Sequence, residues 1–137
     1  MNITLVPVHH VDNVWPRIAE AMERSCRKSG GALVAGDVWQ ACRNGSAYLI
    51  IAHDETEIAG ASVWYLDSGA SGAKLRCMAL GGAGMSDWIS DMHQVVKHLA
   101  RDCGAISLVS YGRKGWAKIF PKAKPVRIEY EEPLDGR

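Results

Sequence analysis

The sequence predicts an α/β fold, a mixed sheet with helices packed on its faces. Three observations point there. Three strand-like segments follow one another through short turns, and helix-period segments precede them. After them, a glycine cluster leads into a long amphipathic helix and then another strand. The resulting order is β-α-α-β-β-β-α-β-α-β.

Taken in order, residues 3–8 (Ile-Thr-Leu-Val-Pro-Val) read as a short strand that Pro7 ends or confines to a sheet edge. A helix is expected from about Asn13, capped by Asp12 or Asn13, with Pro16 in its first turn. Val14, Ile18, Met22 and Cys26 recur every fourth residue as one apolar stripe, and Gly30-Gly31 closes the helix. A shorter helix near 36–43 carries Val38, Trp39 and Cys42. The period then turns strand-like at 47–53, 57–66 and 73–80, with Asp54-Glu55-Thr56 as the first turn and Asp67 to Gly72 as the second. These three strands should form an antiparallel meander. Beyond Gly81-Gly82-Ala83-Gly84 a long helix is expected with Ser86 as its N-cap, an apolar face of Ile89, Met92, Val96, Leu99 and Cys103, a solvated face with His93 and His98, and a stop at Gly104. A strand at 105–110, a short helix near 113–120 and a strand at 125–131 complete the chain.

The 137 residues suit one domain spanning 1–137, because domains usually run ~100–200 residues. A hydrophobic share of 47% with 23% charged residues excludes a disordered chain. Sixteen basic residues against fifteen acidic leave a net charge of +1, which argues against a dedicated nucleic-acid binder. No apolar run approaches the ~18 residues of a membrane helix, and Met1-Asn2-Ile3-Thr4 carries no charged leader, so a cytoplasmic location is expected. Cys26, Cys42, Cys77 and Cys103 show no C-x-x-C spacing and sit in apolar patterns, as buried small residues in a reducing compartment would.

The segment with the most specific chemistry is Met78-Ala79-Leu80-Gly81-Gly82-Ala83-Gly84-Met85-Ser86. A strand passing through glycines into a helix presents successive N–H groups at the positive helix end, and glycines let an anion approach the backbone. Phosphate or pyrophosphate is the natural ligand; the alternative is a turn that only lets the helix pack tightly on the sheet. The segment lacks the Gly-Lys-Ser/Thr of a Walker A loop and the full G-x-G-x-x-G fingerprint.

With that loop and element order, the chain resembles the GNAT superfamily of acyl-CoA N-acyltransferases over nearly its full length. Gly82-Ala83-Gly84 matches the end of the family's Q/R-x-x-G-x-G/A loop, with Ala79 where Gln or Arg is usual. The segment from Lys114 to Val126 resembles N-x-x-A-x-x-L-Y-x-K-x-G-F, with Ala117 and Phe120 fitting. Gly84-Met85-Ser86-Asp87-Trp88, His98 to Gly104 and Gly112 to Trp116 are similar to small GNAT-like proteins encoded among virion genes of tailed bacteriophages and prophages. The resemblance implies a GNAT-like α/β fold. It also implies acetyl-CoA as cofactor, lying where the fourth and fifth strands splay, with its pyrophosphate on residues 81–86. Met78, Leu80, Gly81, Gly82, Ala83, Gly84, Met85 and Ser86 are the implied cofactor-binding residues. The acceptor would be a small-molecule or protein amine. The narrower likeness implies instead a non-enzymatic virion, tail or assembly protein that binds phage structural proteins and is made in the host cytoplasm.

Several positions depart from the family pattern. Pro121 stands where a tyrosine often protonates the departing thiolate, and Lys114 replaces the asparagine. The fourth strand offers Lys74, Arg76, Cys77 and Met78 but no carboxylate for a general base, whose absence slows transfer by ~10²–10⁴-fold. Asp87 would repel a pyrophosphate or complement the helix dipole. Tyr111, just past the fifth strand, is the best-placed hydroxyl for general acid work, set against a tyrosine that simply packs on the sheet. Cys77 has no histidine partner that the sequence reveals. His9 and His10, on a strand, would point to opposite faces and hold no metal. The cluster Arg113, Lys114, Lys118, Lys122 and Lys124 reads most simply as a solvated helix face, and otherwise as a contact for the cofactor's 3′-phosphate, an acidic partner surface or RNA.

Overall fold

A computed structural model describes residues 1–28, 33–110, 120–126 and 130–134. Strand β1 (Asn2–Val6) stops before Pro7, which has no N–H to continue a ladder, and a 3₁₀ turn at Val8–His10 runs straight into helix α1 (Val11–Lys28). His10 N–H already donates to the Pro7 carbonyl, so helical geometry begins before Asn13. Two expectations change as a result. Pro16 falls in the second turn rather than the first, and Asp12 is not a cap but a bridge to helix α2 (Ala35–Arg43). Its Oδ1 accepts from Trp39 Nε1 at 2.9 Å and its Oδ2 from Arg43 Nη2 at 3.2 Å, with the Arg43 guanidinium 4.6 Å from the Trp39 ring centre. Helix α1 buries Val11, Ile18, Met22 and Cys26, and α2 buries Val38 and Cys42.

Strands β2 (Tyr48–His53), β3 (Ile58–Gly69) and β4 (Gly72–Gly82) form the expected antiparallel meander. β1 joins it antiparallel to β2, and β5 (Ser107–Val109) joins parallel to β4, giving the order β1-β2-β3-β4-β5. A parallel neighbour needs a crossover, and helix α3 (Ile89–Asp102) provides it. The β3–β4 hairpin is longer than its polarity suggests. Asp67, Ser68 and Gly69 pair with Lys74, Ala73 and Gly72, leaving Ala70 and Ser71 as the turn. Polar residues suit this tip because it extends past the core, and Arg76 Nε donates to Asp67 Oδ2 at 2.6 Å across the strands.

Side chains alternate between two cores. The α1/α2 face gathers Ile18, Met22, Val38, Leu49, Val63 and Ala79; the α3 face gathers Ile50, Trp64, Leu75, Trp88, Met92 and Val96. Buried Ser62 is satisfied there: its hydroxyl accepts from Trp64 Nε1 at 2.8 Å and donates to Met92 Sδ at 3.0 Å.

The entry to α3 differs from expectation. Met85–Asp87 form a 3₁₀ turn, so Ser86 lies within that turn and Trp88 occupies the cap position without capping the helix through its side chain. His93 is not solvated: it is half-buried, with its ring 4.6 Å from that of Phe120, edge to face. Gly104, at φ +80°, ends the helix as expected. Residues 113–119 of the expected fourth helix lie outside the described residues, and Phe120 is in a bend. Of the expected strand at 125–131, residues 127–129 lie outside them too. Residues 125, 126, 130 and 131 form no strand, and exposed Val126 and Tyr130 bury no face that would hold one. Among the described residues no helix is long and apolar enough to cross a membrane.

Candidate functional site

The sheet forks beside β4. Among the described residues β5 pairs with it only from Lys74 to Arg76, through Ser107 to Val109, whereas β4 continues to Gly82 against β3. A β-bulge lies just past the fork. Trp64 faces Cys77 and Val63 faces Ala79, so Met78 is the extra residue. The bulge turns Met78 and Ala79 together toward α1, and Cys77 and Leu80 toward α3.

Hydrogen bonding then sets which amides face the fork. Ala83 N–H donates to the Ala59 carbonyl at 2.8 Å. Antiparallel alternation therefore directs Gly81 to β3 and turns the N–H groups of Leu80 and Gly82 away from it. Leu80 N–H is met by Ser25 Oγ of α1 at 3.1 Å. Helix α1 comes this close because Gly81 has no side chain; a Cβ there would lie 2.9 Å from the Ala21 carbonyl oxygen. Gly82 is likewise required by β3, since its Cβ would lie 2.3 Å from the Ala59 oxygen. Gly84 is left-handed (φ 61°, ψ 39°) and precedes the 3₁₀ turn. The first amides of such a turn, Met85 and Ser86, have no partner within it. Trp88 is fully buried beneath the loop and donates from Nε1 to the Ala83 carbonyl at 2.9 Å.

The residues read from the sequence as cofactor-binding thus sit together along the fork and the turn that follows. The amides of Leu80 and Ala83 are engaged by Ser25 and Ala59, which leaves Gly82, Gly84, Met85 and Ser86 as the series available to a ligand. The Asp87 carboxylate borders it, with Oδ2 3.3 Å from where a Gly84 Cβ would lie. Burial pushes the Cys77 thiol up to about 12, and Sγ rests 3.4 Å from the Ala79 carbonyl oxygen, so it is no nucleophile at neutral pH. The carboxylate in contact with β4 comes from β3, as Asp67 on Arg76.

Tyr111 and the basic residues 113–118 lie outside the described residues, while Lys122, Lys124 and Pro121 are exposed. His9 and His10 do not point to opposite faces. They lie in a 3₁₀ turn rather than a strand, with ring centres 4.3 Å apart. Among the described residues no three His, Cys, Asp or Glu side chains converge as a metal site would require. Three participants were missed in the sequence: Ser25, Asp67 and the role of Trp88. Ala21 and Ser25, small residues four apart beside an apolar stripe, were the readable sign of a close helix–strand approach.

No protein-family model matches this sequence, and no curated protein matches it. Solved structures do match. A probable acetyltransferase superposes with a TM-score of 0.72 at 15% identity, covering 98% of both chains. A predicted acetyltransferase with acetyl-CoA from Clostridium acetobutylicum gives 0.72 at 10% identity, covering 99% of this chain and 97% of the other. Ribosomal-protein-alanine N-acetyltransferase from Brucella melitensis biovar Abortus 2308 gives 0.66 at 10% identity, covering 98% and 100%. The chain has the GNAT-like acetyltransferase fold.

Proposed function

We propose that this protein binds acetyl-CoA in the β4–β5 fork and transfers the acetyl group to a small-molecule or protein amine with weakened catalysis. One observation carries the reading: β4–β5 pairing ends at Arg76, just before the Met78 bulge, while β4 runs on to an amide-presenting turn. The amides of a pantetheine arm suit a strand edge, and the pyrophosphate suits the N–H groups of Gly84, Met85 and Ser86. In the transfer, the amine nitrogen bonds to the acetyl carbon as the carbon–sulfur bond breaks. The amine loses a proton and the thiolate gains one. The described residues help little with either proton. Cys77 stays a neutral thiol, Asp67 is tied to Arg76, and Pro121 has no proton to give. Tyr111 remains the candidate acid.

A second reading, a phage virion or assembly protein using the fold as a binding platform, draws support from the glycines. Gly81 and Gly82 are each required by neighbouring backbone, with or without a ligand.

Calorimetry with acetyl-CoA tests the first reading. We expect saturable micromolar binding, weakened at least ~10-fold in Ser86→Glu, which sets a carboxylate against the pyrophosphate from an exposed position. Gly82→Asp is a poorer probe because any side chain there strikes β3. No heat at millimolar acetyl-CoA rules the enzyme reading out, and co-purification with virion proteins then supports the second.

A further inference from the structure

We infer that Trp88 is a positioning residue that fixes the polarity of the cofactor loop, an inference that rests on the acyl-CoA reading above. Ala83 is held at both ends: its N–H by the Ala59 carbonyl at 2.8 Å, and its own carbonyl by Trp88 Nε1 at 2.9 Å. The peptide linking Ala83 to Gly84 is trans, so its carbonyl and N–H point in opposite directions. With the carbonyl drawn inward to the buried indole, Gly84 N–H faces outward with the amides of Met85 and Ser86. A flip of that one peptide reverses the arrangement and sets a carbonyl oxygen against the pyrophosphate.

Little else in the loop opposes the flip. Gly84, whose φ turns in such a flip, adopts either hand of backbone readily. The restraint therefore falls on the indole, whose own position is determined by packing. Trp88 is fully buried in the α3 core, and its six-membered ring lies against Gly60, where a Cβ would come within 2.2 Å of Cζ2. Gly60 is the register partner of Gly82, so the strand pair that ends in the loop also forms the seat of the residue that orients it.

Trp88→Phe keeps an aromatic ring in the seat and removes the donor. We expect CoA binding, measured by calorimetry, to weaken roughly five- to tenfold, the effect of one hydrogen bond plus a misdirected dipole. Binding of pantetheine, which has no pyrophosphate, should be unchanged. Unchanged CoA affinity overturns the inference, and so does an equal loss for both ligands, which a merely structural role would give. A wild-type protein that binds neither ligand defeats the acyl-CoA reading itself, and the inference falls with it. The wild-type chain supplies a second measurement should the variant not fold. Its Trp88 indole N–H resonance should exchange slowly and shift with CoA but not with pantetheine; a resonance that CoA leaves in place overturns the inference.

Discussion

Cys77 occupies the fork where a nucleophile would be useful, yet its surroundings disable it. Burial raises its thiol to about 12, and burial does the same to Cys42 between α1 and α2. Both groups keep their proton in the folded chain and release it near ~8.5 once unfolded. Between those values the unfolded state binds fewer protons than the folded one, so stability is full below ~8.5 and declines as pH rises toward 12. Each thiol contributes a slope of ~1.4 kcal/mol per pH unit in that window. Urea midpoints at pH 8 and pH 10 should therefore diverge more in the wild type than in the Cys42→Ala/Cys77→Ala double variant, where Cys26, also raised by burial, still contributes; equal divergence in both disproves the assignment. The apolar setting of these cysteines was legible because they fall within the apolar patterns of their helix and strand, although Arg43 and Arg76 stand beside them in sequence. The Ser25 and Trp88 contacts were not, because their partners, Leu80 N–H and the Ala83 carbonyl, are backbone groups whose direction depends on strand register.

Helix α3 shows both the success and the failure of periodicity. Met92, Val96 and Ala100 are buried in the pattern a 3.6-residue repeat requires, but the same repeat assigned His93 to solvent. Phe120, far along the chain, covers it, and no local pattern can anticipate that. Burial, and then the nearby Lys97 charge, lower the His93 pKa, so the neutral ring is the form that packs against Phe120. The unfolded chain takes up this proton near ~6.5, whereas the folded chain does so only at lower pH. Stability is thus unaffected above ~6.5 and falls as pH drops through the interval between the two values. Thermal melts from pH 7 to pH 5 should show a loss that is smaller in His93→Gln, which cannot charge; an identical loss in the variant removes His93 as the cause. Element boundaries slipped where local signals competed. The 3₁₀ turns before α1 and α3 displaced Asp12 and Ser86 from capping, and cross-strand pairing extended β3 through polar residues that read as a turn.

The sheet separates the α1/α2 core from the α3 core, and the fork arises because β5 is short on one side of β4 while β3 is long on the other. The order of elements from β1 to β5 was readable from alternating periods, since each strand follows its neighbour in sequence. The bulge at Met78 and the end of pairing at Arg76 were not, because both depend on how two strands align. Gly60 ties these features together, as the point where β3, the loop strand and Trp88 meet with no room for a methyl group. Gly60→Ala should destabilise the whole molecule by ~1–3 kcal/mol, the usual cost of overpacking, and shift the Trp88 indole away from Ala83. Gly36→Ala is the matched control: nothing lies within 4 Å of its would-be Cβ, and alanine in helix α2 should stabilise by ~0.5–1 kcal/mol. Denaturant midpoints of the two variants must move in opposite directions. If Gly60→Ala stays within a few tenths of a kcal/mol of the wild type, the indole has room to yield, and neither the seat nor the loop orientation is as rigid as these contacts require.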